Sequence, residues 1–561
     1  MLSFIIGAVL RLYLISSQIL IDDEWHGLNY VIGRSFLYVF TNHGEGANSI
    51  PLNLYCWFLL KTFGWSELLL RAPSMIAGIL SIVVFPVFVM RMFNTRTAVI
   101  FSFLLAISPV MIFYSRMYRP YGIVVFFSFI SFFSLLLWVK SGERKLAVLY
   151  ICTAVLAVYF HLYASIAVLT PLGIVFLFKI FQRAANNNKD QIVVMASAKA
   201  LIGVGVTIFF LLSILLLPAH IQNLWWQTRL GFGSMNLKTI TGYLSILSGT
   251  SNFVMVGIFL FFFISGLWSL FRKKNIFSVI LATIIVIYFT VMIRSHQLGI
   301  HAAIQVARYS ISLFPLALIV VAYGMDRILC YLYSMIKTSR QSLILIDFVV
   351  IFFLVSLFFS GPLLETYQSP NNFTNHSAFQ DSYKPHTWER SRPNDLDPGI
   401  TMSKKSVPDF YHYLSQLSNV KAIIEYPIFL GDLCNLYYYY QRFHRKKIIA
   451  GFLSNAAPLQ RAQDYIVGDF YVDYVISRLT DLQKVRFTNM INMESIEAIK
   501  NSSAQFIVLH KHLKAEMVPY LTGTEKKVKT DNSVLFLDQL YRKLIGKPFF
   551  EDQNIILYKM P

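Results

Sequence analysis

Stretches of about 20 apolar, nearly uncharged residues recur along this 561-residue chain, and nothing else in it restricts the fold so strongly. A helix of that length crosses the hydrocarbon of a bilayer while satisfying its own backbone polar groups. The apolar runs predict spans at roughly 2–20, 68–90, 97–115, 121–139, 146–163, 164–181, 198–217, 253–271, 276–293, 309–332 and 343–362. About eleven transmembrane helices follow, so the chain is expected to be a polytopic α-helical membrane protein and not a barrel. Composition agrees: 56% of residues are hydrophobic and 14% charged, against roughly 25% charged in ordinary soluble domains. Residues Met1 to Leu20 lack a basic leader and a small-residue cleavage site, which predicts a retained first span.

A formal charge of +20 raises nucleic acid as a partner, and the placement of the basic residues argues against it. Many sit in short loops: Arg91 and Arg96, then Lys140, Arg144 and Lys145, then Arg183 and Lys189, then Arg272, Lys273 and Lys274, then Lys337 and Arg340. They alternate with less basic loops, the positive-inside pattern, which assigns them to the cytoplasm. An odd number of spans with the N-terminus inside then puts the first loop, residues 21–67, and everything after residue 363 on the outer face. Beyond residue 363 a Pro, Asn and Ser-rich stretch precedes short β-branched runs such as "VKAIIEYP", "AQFIVLH" and "NIILYK". The expected organisation is a membrane domain over 1–362 and an extracytoplasmic soluble α/β domain over 363–561. The four cysteines show no CxxC spacing, so neither a disulfide framework nor a zinc site is expected.

The first apolar run ends in three carboxylates, Asp22, Asp23 and Glu24. Adjacent like charges beside hydrocarbon call for a cation, a substrate or a basic pocket, unless they merely form a solvated loop. Near the outer ends of other spans lie Glu45 in "NHGEGANSIPLNLY", Arg116 and Arg119 in "YSRMYRPYG", His161 in "YFHLYA", and Arg308 with Tyr309 in "QVARYSISLFPL". Arginines and carboxylates at one depth suit a phosphate-bearing amphiphile, because guanidinium forks grip phosphate while the spans hold a lipid tail. The plainer alternatives are arginines snorkelling to headgroups and a histidine packed among aromatics. Trp225 and Trp226 suit the headgroup belt or a sugar. The string "GFGSMN" lacks a third glycine and is no dinucleotide fingerprint, and His296 and His301 form no HExxH.

In order and placement these strings resemble the GT-C membrane glycosyltransferases, in particular the branch of protein O-mannosyltransferases and the bacterial aminoarabinose transferase acting on lipid A. Arg11 in the first span, Leu20 with Asp23 and Glu24 after it, and "SELLLRAPSMIAGIL" are similar to that branch's opening. "SRMYRPYG", "YFHLYA" and "ARYSISLFP" resemble its arginine-rich turn, fifth-span histidine and "RY…P" motif. The likeness covers roughly residues 1–320 and, weakly, the outer domain. Two departures stand out. A His-Pro-Pro-Leu-Tyr-like string of the first loop is here "NSIPLNLY", and Met117 occupies the turn position where an acid can help bind a divalent metal.

The resemblance implies inverting transfer of a sugar from a polyprenyl-phosphate carrier to an acceptor lipid, glycan or protein at the outer face, in a bacterial inner membrane. Asp23 would be the base, with Glu24 or Asp22 orienting the acceptor or keeping Asp23 ionised. Arg116, Arg119 and Arg308 would neutralise the phosphate, Tyr309 would donate to it, Glu45 would be a second acid, and His161 would line the site. Arginines can replace the general acid of a glycosidase, since a phosphate leaving group needs charge stabilisation more than protonation. A divalent cation, Mg or Mn, held by Asp23 and Glu24 stays open, with Met117 against it. The rival function is a non-enzymatic transporter or flippase of a lipid-linked sugar, which should carry its ionisable groups near mid-membrane and show an internal repeat. Here the groups cluster at the outer ends.

Overall fold

The computed structural model describes residues 1–13, 15–16, 20, 23–42, 49–64, 66–184, 196–223, 235–273, 276–294, 303–335, 340–363, 407–426, 440–441, 443–448, 505–511, 515–516, 529–530, 538–539, 541–543 and 545–560. They form two compact units, one built from the helices of 1–15 and 30–363, the other containing Ser16–Asn29 and the sheet of the C-terminal region.

Every one of the eleven apolar runs contains helix. These are α1 (Leu2–Leu12), α5 (Glu67–Met92), α6 (Thr95–Ile107) with α7 (Pro109–Ser115), α8 (Tyr121–Ser141), α9 (Arg144–Phe160), α10 (Ala164–Ala184), α11 (Ala198–Asn223), α13 (Phe253–Arg272), α14 (Ile276–Arg294), α16 (Leu313–Met335) and α17 (Arg340–Ser360). Between them lie α2 (Asp23–Val31), α3 (Phe36–Thr41), α4 (Ile50–Thr62), α12 (Leu237–Ser248) and α15 (Ala303–Tyr309). Among the described residues seven helices are long and apolar enough to cross a membrane, eight when α6 and α7 count as one bent span. The chain is an integral membrane protein.

Two expected spans differ in shape. The first helix stops at Leu12, where Tyr13 turns to an extended ψ of 122°. The run 97–115 bends by 60° between α6 and α7, because Pro109 has no N–H for the carbonyl four residues back and disfavours helix at Ser108. The carbonyls so released are not wasted. Buried Arg11 donates Nη2 to Leu105 O at 3.3 Å and Nη1 to Ala106 O at 3.2 Å, and also to Gly7 O on its own helix at 3.0 Å. Inside α5, Pro73 likewise frees Leu69 O, and the Tyr55 hydroxyl donates to it at 2.7 Å. In lipid an orphan carbonyl has no water to turn to, so prolines persist where another helix supplies the donor.

Helices α8 and α16 form the centre, each with 83% of its most apolar window buried, against 17% for α13. A helix apolar on all sides, as α8 is, belongs inside a bundle. Its Phe129 stacks on Phe85 of α5 at 3.7 Å, and Phe132 meets Phe277 of α14 edge-on at 5.6 Å. α13 crosses α16 backbone to backbone: a Cβ on Gly324 would overlap Phe262 O and sit 2.8 Å from Gly266 N. Partway along α16, buried Asp326 binds the start of α6. Asn94 caps α6 through its Oδ1 and donates Nδ2 to Asp326 Oδ2 at 2.9 Å, and Thr97 adds its hydroxyl at 3.4 Å.

In the C-terminal unit, α18 (Asp409–Gln416) covers a five-stranded sheet of order β2-β1-β3-β7-β6. Its strands are β1 (Ala422–Tyr426), β2 (Lys447–Ile448), β3 (Phe506–His510), β6 (Phe550–Glu551) and β7 (Ile555–Lys559), and β4 (Ala515–Glu516) pairs separately with β5 (Lys529–Thr530). β1 runs parallel to β2 and β3, and β7 antiparallel to β3 and β6, so this is a small mixed α/β domain. Its core holds a polar knot. Tyr411 donates to both oxygens of buried Glu425 at 3.0 and 2.9 Å, and His510 Nε2 lies 2.8 Å from Glu425 Oε2.

Candidate active site

The "SRMYRPYG" string forms the turn from α7 into α8 and is buried throughout. Gly122 permits that turn, because a Cβ there would press on Ser74 O at 3.1 Å and Tyr114 O at 3.2 Å. Ser74 of α5 donates to Arg119 O at 2.6 Å and pins the backbone between the two arginines and α8. Arg116 turns towards α1, where Nη1 donates to Arg11 O at 2.8 Å and Leu10 O at 3.3 Å, the carbonyls at the end of the helix that stops early. Arg119, only 6% exposed, lies over the Tyr121 ring at 5.8 Å from its centroid.

Arg308 reaches the same ring from a distant part of the chain, 5.7 Å from the Tyr121 centroid and 5.4 Å from that of Tyr309. It sits on α15, whose end is fixed by Ser310: its hydroxyl donates to Val306 O at 2.8 Å and lies 3.1 Å from the Tyr243 hydroxyl of α12. Ser312 then joins Ser128 of α8 at 3.2 Å. His161 terminates α9 in an extended conformation and faces Tyr121 at 5.6 Å, Tyr163 at 5.8 Å and Tyr309 at 6.4 Å between ring centroids. Tyr163 and Tyr309 lie 5.0 Å apart, and Tyr288 of α14 holds the first of them through its backbone carbonyl at 2.9 Å.

The helical unit thus gathers Arg119, His161 and Arg308 around the Tyr121 ring, with Tyr309 against His161 and Arg308. Arg119, Tyr121 and His161 form a buried floor, and Tyr163, Arg308 and Tyr309 a half-buried rim. Two guanidinium groups flanked by phenols and an imidazole can bind a phosphate, orient it through paired donors and stabilise negative charge in a site walled from water. Tyr121 and Tyr163 escaped the sequence reading, although each lies two residues from a candidate in the same string. In a chain with 16% aromatic residues a tyrosine beside a span gives no signal of its own.

Among the acids, Glu24 is fully buried on α2 and Asp23 opens that helix. Asp22 and Glu45 lie outside the described residues, as do Trp225, Trp226, His296 and His301. Met117 is buried and offers no oxygen ligand. Among the described residues no three His, Cys, Asp or Glu side chains converge on one point.

No protein-family model matches the chain, and no curated protein is similar to it in sequence. Solved structures do share its architecture. The oligosaccharyltransferase of Archaeoglobus fulgidus in its apo form is 14% identical, with a TM-score of 0.50 over 91% of this chain and 69% of its own. ArnT from Cupriavidus metallidurans in the apo state is 10% identical, with a TM-score of 0.50 over 100% of this chain and 96% of its own. Identities this low speak to architecture alone, and both neighbours carry the same one: this chain has the fold of the GT-C membrane glycosyltransferases.

Proposed function

We propose that the protein is a glycosyltransferase that moves a sugar from a polyprenyl-phosphate carrier to an acceptor lipid, glycan or protein, with inversion, at the outer face of a bacterial inner membrane. The observation that carries this reading is the pair of arginines, Arg119 and Arg308, held on the single Tyr121 ring beside His161 and Tyr309 at the ends of membrane helices. Charge of that kind is what a departing phosphate needs.

In the proposed step the Asp23 carboxylate takes the proton of the acceptor hydroxyl as that oxygen attacks the anomeric carbon. The bond from this carbon to the carrier oxygen breaks, its electron pair leaves on the phosphate, and Arg119 and Arg308 neutralise the charge, with Tyr309 donating a hydrogen bond. Arg116, whose Nη1 is engaged by the α1 carbonyls, supports the site from the same turn. Glu24 or Asp22 orients the acceptor or keeps Asp23 ionised, Glu45 is a second acid of the first loop, and the C-terminal domain, placed outside the membrane, contributes acceptor choice, since loops and appended domains carry specificity on a shared scaffold.

The test is a mass-spectrometric inventory of envelope lipids and glycans from cells carrying the wild type or Asp23→Asn at equal protein level. The expected result is one sugar missing from one acceptor, with a polyprenyl-phosphate sugar accumulating. Identical inventories would remove Asp23 from the chemistry and move the transport reading ahead.

A further inference from the structure

We infer that Tyr121 is a positioning residue: its ring face holds the guanidinium groups of Arg119 and Arg308 in one clamp for a single lipid-linked phosphate. This rests on the phosphate-binding role proposed above. Arg119 and Arg308 are 189 positions apart in sequence and come from different helix ends, α8's entry turn and the end of α15. Both lie over the Tyr121 ring, at 5.8 and 5.7 Å from its centroid. Two like charges repel each other most strongly where water is scarce. The negative face of an aromatic ring attracts both, and a desolvated cation–π contact is among the stronger of its kind.

The ring is itself rigidly held. It is 2% exposed, follows Pro120 at the first position of α8, and touches Tyr114 at 4.8 Å and His161 at 5.6 Å. Arg308 has a second ring, Tyr309, at 5.4 Å, but that residue neighbours it on the same short helix and cannot tie it to the α8 turn. Tyr121 touches both arms, and the electron density of its ring, not its hydroxyl, performs the task.

The experiment uses the purified full-length protein in detergent and measures binding of farnesyl phosphate, with farnesol as the uncharged control. Position 121 is replaced by Phe, by mono-, di- and trifluorinated Phe, which weaken the ring face at nearly constant size, and by Leu. Arg119→Gln and Arg308→Gln are measured alongside. Tyr121→Phe should bind farnesyl phosphate like the wild type, the fluorinated series should lose affinity stepwise to about tenfold, and farnesol binding should not change. Equal farnesyl phosphate affinity across the fluorinated series, with both arginine variants weakened, would overturn the role of Tyr121 and leave the phosphate site standing. Unchanged affinity in the arginine variants would overturn both. The fluorinated series keeps the test decisive even where Tyr121→Leu does not fold.

Discussion

Acid should loosen the C-terminal domain through one side chain, His444. Its ring is fully buried, stacks on Tyr411 at 5.4 Å, and accepts the Lys446 N–H on Nδ1 at 3.0 Å, while Nε2 has no hydrogen-bond partner among the described residues. Burial, and then the neighbouring Lys446 charge, push its pKa from 6.5 down to about 3. The unfolded chain takes up this proton near pH 6.5 and the folded one only near pH 3, so between those limits the unfolded state binds more protons and stability rises with pH. The full contribution is present above pH 6.5 and is lost as pH falls. At pH 5 the gap is about 1.5 pH units, worth about 2 kcal/mol at 1.36 kcal/mol per unit, or about a 30-fold rise in the open population. Amide exchange of Ile507, Val508 and Leu509 in β3, corrected for intrinsic rates, reads that opening. Glu425, His510, Tyr411 and Lys446 share the region, so the signal is the difference from His444→Asn, which keeps an acceptor for Lys446 N–H. Protection falling about 30-fold between pH 7.5 and 5 in the wild type and much less in the variant is expected. An equal fall in both would refute the role of His444, and no fall in either would refute the burial argument.

Two further substitutions probe the membrane unit by thermal unfolding in detergent. Gly324→Val should lower the midpoint by several degrees, because the added Cβ overlaps Phe262 O and nears Gly266 N at 2.8 Å, both backbone atoms that cannot rotate away; the usual overpacking loss of about 1–3 kcal/mol is then a lower bound. An unchanged midpoint would mean that α13 and α16 do not cross at these glycines. Asp326→Ala strips the acceptor from exposed Asn94 and buried Thr97, about 1–3 kcal/mol for the buried Thr97 hydroxyl left unpaired, and Asp326→Asn, which keeps one oxygen, should lose distinctly less. Equal midpoints for the two variants would show that the carboxylate is not what ties α16 to α6.

Much of this architecture is written in the chain because lipid leaves it little choice: an apolar run of 20 residues can only become helix. What hydropathy cannot separate is a straight span from an irregular one. Residues 13–20 continue the apolar run of 2–12, yet α1 ends at Leu12, and 97–115 is one run that folds as two helices. Proline alone does not decide the matter, since Pro73, Pro86, Pro171 and Pro218 lie inside helices while Pro109 begins one. For Pro73 and Pro109 the sequence lacks the other half of the event, the donors Tyr55 and Arg11 that receive the freed carbonyls from elsewhere in the chain. The candidate site divides in the same way. Arg119, His161 and Arg308 could be named from their strings, but their meeting on Tyr121 depends on how three helix ends converge.

The buried arginines of the helical unit connect those two lessons. Arg11 serves the carbonyls opened at the α6–α7 bend, and Arg116 serves the carbonyls at the end of α1, including that of Arg11 itself. A desolvated guanidinium is tolerated because its fan of donors meets backbone acceptors that would otherwise be orphans. The bend that Pro109 makes and the early stop at Tyr13 are thus each completed by an arginine from another segment. The turn that carries Arg119 follows α7 directly, and Ser74 of α5 holds its carbonyl. Arg11 and Arg116 are thus tied to the backbone next to the turn that carries Arg119, the residue proposed to meet the phosphate. Replacing either structural arginine by lysine keeps the charge but not the forked geometry, so it would disturb the clamp without touching it.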